Sequence, residues 1–181
     1  MLNTDLVLRA QKGNAEAIGE LFEQYHQPIY RYLYYRTSDP ITAEDLTADV
    51  FLRMVRALPG YRNQNLPFQA WLFQIARNMA IDYYRKNANH PQVEFHENLP
   101  AVSGNPDALV DITLTSAVLA KAVDRLNEDQ RDVILLRFVE EMPIALVAQT
   151  LNKTEDAVKG LQRRALMALK EFLEFKEQDH V

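Results

Sequence analysis

Residues 143–175 read PIALVAQTLNKTEDAVKGLQRRALMALKEFLEF, and this stretch decides the fold. Pro143 opens a short helix whose Leu146, Val147 and Leu151 can be buried together. Leu151-Asn152-Lys153 interrupts it, and Asn tolerates the left-handed backbone that a tight turn needs. Thr154 is suited to cap a second helix, with Glu155 and Asp156 at its positive end. That helix carries Val158, Leu161, Ala165, Leu169 and Phe172 on one face at helical spacing. Asp156, Lys159, Gly160, Arg163 and Arg164 fall on the other. A short helix, a tight turn and a second helix with bases in its first half is helix-turn-helix geometry. The plainer alternative is a helical hairpin with a charged outer face. Gly160 costs a helix interior about 1 kcal/mol, which close approach to a nucleic-acid backbone would justify.

Working outward, helical signals dominate and nothing alternates at period two. Further helices are expected near 112–126, 128–139, 143–151 and 154–175. Toward the N-terminus, Leu6, Leu8 and Ala10 suit a short helix before Gly13-Asn14. Leu21, Phe22, Tyr25, Ile29, Leu33 and Tyr34 suit a longer one to about Thr37, with Pro28 as its candidate kink. A third runs from about Thr42 to Leu58, stopped by Pro59-Gly60, with Leu46, Val50, Met54 and Ala57 as its core stripe. A fourth runs from Pro67 to about Lys86, with Pro67 at its first position and Phe68, Leu72, Ile75 and Met79 inward. Residues 88–112 hold Pro91, Pro100, Gly104 and Pro106 without a helical period. The chain therefore reads as all-α: two small helical domains, 1–88 and 113–181, joined by an extended acidic linker at 89–112.

The 181 residues carry 20 Lys plus Arg against 25 Asp plus Glu, a net charge of −5, which excludes bulk electrostatic capture of nucleic acid. Glu94, Glu97, Asp107 and Asp111, with no base among residues 91–112, place most of that excess in the linker. There is no Cys, so disulfides, thiolate metal sites and thiol nucleophiles are excluded. His26, His90, His96 and His180 are scattered, with no HExxH spacing, phosphate loop or serine-hydrolase elbow, so no enzymatic activity and no cofactor are expected. No apolar run reaches the roughly 20 residues needed to span a bilayer. The N-terminus lacks a basic start and an apolar core, so no signal peptide is expected and the chain reads as cytoplasmic. No regulatory domain is expected after the last helix.

Two further surfaces exceed what a core requires. On the third helix, Asp45, Asp49, Leu52 and Arg56 form a second stripe, which is either a solvated face or a docking face with acids setting register around Leu52. On the fourth, Trp71, Asn78, Asp82 and Arg85 line up in a row able to stack on bases and read their edges, unless Trp71 simply packs inward.

Together these segments resemble a sigma factor of the extracytoplasmic-function (ECF) type, over about 5–90 and 113–175. AEDLTADVFLR at 43–53 resembles the family's polymerase-binding helix, with Ala48 where Gln is usual. FQAWLFQIARNMAIDYYR at 68–85 is similar to its promoter-melting and minus-ten segment, and 126–170 to its minus-thirty-five reader. The resemblance implies that Asp45, Asp49, Leu52, Arg53 and Arg56 engage core RNA polymerase. It implies minus-ten contacts from the 61–68 loop, with Tyr61 and Phe68, and from Trp71, Asn78 and Asp82, with Arg77 and Arg85 on the backbone. Lys159, Gly160, Arg163 and Arg164 would enter the major groove of promoter DNA, and Arg137 would hold phosphate. An anti-sigma factor is a further implied partner, and no direct membrane insertion is expected. The rival reading is a stand-alone helix-turn-helix regulator, which predicts a symmetric dimer; the WLxxIARN core disfavours it.

Overall fold

The computed structural model describes residues 2–88 and 117–178, with side chains described for 4–88 and 117–173. The expected linker at 89–112 lies outside the described residues. All regular structure among those described is helical. The elements are α1 (Leu2–Gln11), α2 (Ala15–Thr37), α3 (Pro40–Ala57), a 3₁₀ turn (Leu58–Gly60), α4 (Phe68–Asn87), α5 (117–124), α6 (Glu128–Ile134) running into a π-helical turn (Leu135–Val139), α7 (Ile144–Leu151) and α8 (Glu155–Gln178).

Local chemistry sets most boundaries. The Asn14 side chain accepts from the Ala17 N–H and starts α2. Ser38, in the left-handed region, ends α2, its N–H reaching the Tyr34 carbonyl. Asp39 then caps α3 by accepting from the Thr42 N–H at 3.0 Å, with Pro40 at the first helical position. Pro67 precedes α4 as its cap residue rather than opening the helix. Asn152 adopts φ 53° after α7, and the Thr154 hydroxyl accepts from the Ala157 N–H at 3.1 Å, so the turn chemistry read from the sequence is the one present.

The N-terminal domain packs α2, α3 and α4 against one another around Leu21, Ile29, Leu33, Val50, Met54, Leu72 and Phe73. Three of the apolar residues named for these helices lie outside the core. Leu8 is half exposed, and Leu6, Val7 and Ala10 face inward instead. Phe22 stays partly exposed, tilted against His26 at 4.7 Å and edge-on to Phe51 at 4.8 Å. Ala57 is exposed, and Ala43, Thr47, Phe51 and Leu58 complete the buried side of α3. The shift is geometric: α3 packs on both α2 and α4, so its buried arc is wider than a single stripe.

The C-terminal domain packs α6, α7 and α8 around Val133, Ile134, Leu135, Leu136, Val147 and Val158. The two domains also pack on each other, α2 and α4 on one side of the seam and the π-helical turn and α7 on the other. The seam is unusually polar. Asp132 has no exposed surface; it accepts from the Tyr32 hydroxyl at 2.7 Å and from Arg77 Nε at 2.6 Å. Arg36, also buried, places Nη1 3.2 Å from the same carboxylate, off the hydrogen-bonding line. Burial and the Asp132 charge push the Tyr32 hydroxyl well above its ordinary pKa, so it stays a donor.

Candidate nucleic-acid interface

The outer side of α3 presents Asp45, Asp49, Arg53 and Arg56 exposed, with Leu52 at 54 % exposure among them. Ile41 and Val55 extend this apolar exposure along the helix. Asp45 and Asp49 make no hydrogen bond or ion pair among the described residues, and a large apolar side chain beside unpaired acids is a surface without an internal partner. Arg53 and Arg56 sit where this face meets α4. With Ala57, Trp71, Ile75 and Asn78 they line an open groove of about 400 Å³. The fold thus brings residues expected on two separate surfaces, the docking arginines and the Trp71–Asn78 row, to the edge of one groove.

The start of α4 is an aromatic cluster. Tyr61 and Phe68 are buried, and Trp71, half-buried, lies against both, with ring centroids 4.7 and 5.6 Å away. Tyr61 shapes the loop before α4 by donating its hydroxyl to the Leu66 carbonyl at 2.6 Å, with the Asn63 amide 3.0 Å from the same oxygen. Burial, with a smaller contribution from Tyr25, raises its pKa to about 12, so the hydroxyl remains protonated and the loop keeps its shape. Gln11 of α1 donates to the carbonyls of Leu58 and Tyr61, bracing the same loop from outside. A cavity of about 250 Å³ opens beside it, lined by Val7, Gln11, Tyr61, Asn63, Phe68 and, from the other domain, Leu146. The flat rings therefore act as the loop's foundation, while Arg62, Asn63, Gln64 and Asn65 are the exposed tip.

Farther along α4, Asn78 and Arg85 are exposed and Asp82 is partly so, 3.9 Å from Arg85. Arg77 lies one position from Asn78 and points elsewhere, because successive helical residues are about 100° apart. Its guanidinium faces the seam, bonded to Asp132 and within 3.4 Å of Glu128 and 3.3 Å of Asp129. The sequence reading missed this cluster. Its signal was a lone Arg36 closing the buried run Tyr32–Tyr35 and a lone Asp132 opening Val133–Leu136, charges set on otherwise apolar faces.

In the C-terminal domain Lys159, Arg163 and Arg164 are exposed in the first half of α8, and Gly160 is half-buried between them. Arg137 is committed internally: its Nη1 donates to the Met142 carbonyl at 2.5 Å and its Nε to Gln162 Oε1 at 3.2 Å, bracing the π-helical turn against α8. A Cβ at Gly160 would come 3.3 Å from Arg164 Nη1, so the glycine makes room for that guanidinium to fold back. Gly160→Ala should raise stability in urea denaturation by up to about 1 kcal/mol while pushing Arg164 outward. A fall in stability would mean that the helix cannot yield there.

Comparison with known proteins places both halves of this geometry. Residues 21–90 match the model for Sigma-70 region 2 and residues 122–171 that for Sigma-70 region 4. The chain is 40% identical over 171 residues to the ECF RNA polymerase sigma factor BldN of Streptomyces coelicolor, covering 93% of this chain and 65% of that relative's length. It is 30% identical over 165 residues to the ECF RNA polymerase sigma factor SigX of Bacillus subtilis, covering 88% of this chain and 84% of that one. The fold is shared with the sigma factor RpoE of Bartonella quintana, solved with the anti-sigma factor NepR, at a TM-score of 0.68 and 22% identity over 86% of this chain and 96% of that one. The two region matches in this order, with identity running through both domains, make this chain a member of the ECF RNA polymerase sigma factors.

Proposed function

We propose that this chain docks on core RNA polymerase through the outer face of α3, with Asp45 and Asp49 setting register and Leu52 supplying buried area. It then directs initiation at a two-part promoter. The loop at 61–68 with Trp71, Asn78 and Asp82 captures and reads unstacked bases of the minus-ten element, the arginines Arg77 and Arg85 holding backbone. Lys159, Arg163 and Arg164 of α8 read the minus-thirty-five duplex, Gly160 allowing close approach, while Arg137 positions α8 by bracing the π-helical turn against it. Trapping an extruded base offsets an unstacking cost of a few kcal/mol and needs no catalytic chemistry. The observation that carries the reading is the exposed Leu52 flanked by unpaired Asp45 and Asp49 on α3, beside the groove that holds Trp71 and Asn78. Arg53 and Arg56, at the junction, serve polymerase and sit within reach of the strand in that groove.

The working compartment is the cytoplasm, where polymerase is found, and no helix among the described residues is long and apolar enough to cross a membrane. An anti-sigma factor is a further partner of this chain; NepR fills that role for RpoE.

Run-off transcription with core polymerase on genomic promoter fragments tests the reading. Failure both to bind core and to initiate anywhere would overturn it. Arg164→Ala should lower transcription from a responsive promoter by about tenfold, the scale of losing one base or phosphate contact of 1–3 kcal/mol. Core affinity should not change, because Arg164 lies on the opposite domain from α3. Loss of both together would point to misfolding instead.

A further inference from the structure

The polar seam between the domains has no part in docking or in duplex reading, yet it uses a residue that DNA would need. All three groups that reach the buried Asp132 carboxylate, from Tyr32, Arg36 and Arg77, come from the N-terminal domain. Arg77 is approached by three carboxylates at once, Glu128, Asp129 and Asp132, along the first turns of α6. Arg31 makes a second bridge, a two-pronged pair with Glu140 at 3.2 and 2.8 Å; the Glu140 side chain is almost fully covered. Gln74 reaches the Gln149 carbonyl, and Leu146 closes one wall of the cavity beside the 61–68 loop.

This seam is held, but not comfortably. Two guanidiniums face the Asp132 carboxylate, and Nε and Nη1 of the buried Arg36 lack hydrogen-bond partners among the described residues. Water would satisfy every one of these groups if the domains parted, and unpaired buried donors carry a free-energy cost that hydration removes. A seam of this kind suits an interface that closes and opens, in contrast to the apolar interiors of the two domains.

We propose that the C-terminal domain is an intramolecular clasp. The carboxylates of Glu128, Asp129 and Asp132 take the place of nucleic-acid phosphate at Arg77, so the closed chain withholds part of the α4 reading face. Asp45, Asp49 and Leu52 remain exposed in the closed arrangement, so polymerase can dock first and single-stranded DNA is engaged only after the seam parts. The inference rests on the proposed reading role of α4.

The absence of Cys allows site-specific spin labels at Glu23→Cys and Ala168→Cys, both exposed and one on each domain. Double electron–electron resonance on the full chain should give one narrow distance. Asp132→Asn and Arg31→Glu should each broaden it toward longer distances, and Arg31→Glu with Glu140→Arg should restore it. A fluorescein-labelled, random-sequence single strand of about 20 nucleotides should bind Asp132→Asn about tenfold more tightly than the unsubstituted chain, because the open fraction rises, and with a steeper salt dependence because Arg77 is released. A broad distance in the unsubstituted chain overturns the proposal. So does a narrow one in both opened variants, or unchanged single-strand affinity in a chain that the labels show to be open. Should Asp132→Asn lose helicity by circular dichroism, Arg31→Glu and its charge-swapped partner carry both readouts. Failure of every form to bind core polymerase would strike at the proposed function and leave the distance result standing.

Discussion

Asp49→Lys should weaken binding to core RNA polymerase by about 100-fold, the scale of placing like charges together in an interface, without altering the helical fold. Asp49 is exposed on α3 and makes no contact within the described chain that the substitution would break. Surface changes away from caps and networks usually move stability by no more than about 0.5 kcal/mol. The stripe that includes Asp45 and Leu52 has no other occupant in the described structure, so the whole effect should fall on association. Fluorescence anisotropy against core polymerase measures it, with circular dichroism and urea denaturation as controls. An unchanged affinity would remove this face of α3 from the docking site and shift attention to the groove edge at Arg53 and Arg56.

Phe73→Ala has the largest expected effect on stability. Phe73 has no exposed surface and meets the Tyr32 ring edge-on, centroids 5.7 Å apart at 81°. Deleting a buried phenyl ring leaves a cavity that a rigid helical packing closes only in part, at about 3–5 kcal/mol. Against a typical total of about 5–15 kcal/mol, this brings the N-terminal domain close to unfolding at 37 °C. The same ring supports Tyr32, whose hydroxyl reaches Asp132, so the variant should also loosen the seam before it unfolds. Urea denaturation followed by circular dichroism reads the first effect and the spin-label distance the second. A loss under about 1 kcal/mol would mean that the α2–α4 contact repacks freely, contrary to the close packing of the core.

Local rules made much of the fold legible. Asp39-Pro40 starts α3 and Asn152 with Thr154 makes the turn of the helix-turn-helix, because caps and turns are decided by a few neighbouring residues. The exposed bases of α8 and the acids of α3 were legible for the same reason: a helix wheel separates faces at about 100° per residue. The exposure of Leu8, Phe22 and Ala57 was not legible, because a wheel says which residues share a face, and not how wide an arc the neighbouring helices cover. Gly160 was read as a space for DNA; the folded chain adds that it leaves space for Arg164, a contact within one helix that depends on a rotamer.

What the sequence by itself determined is the set of helices, their caps, the helix-turn-helix and the existence of three unusual surfaces. All of these depend on residues within about four helical turns of one another. Only the tertiary structure decided where those surfaces meet. It joined Arg53 and Arg56 to Trp71 and Asn78 across a groove, turned Arg137 into a brace, and drew Arg36 and Arg77 onto Asp132, 96 and 55 positions along the chain. Charge pairing at such separations leaves no periodic trace in a sequence, because it depends on which faces the cores of two domains happen to leave opposed. The roles of single arginines, to hold DNA or to hold the domains together, are therefore set by packing and not by local pattern.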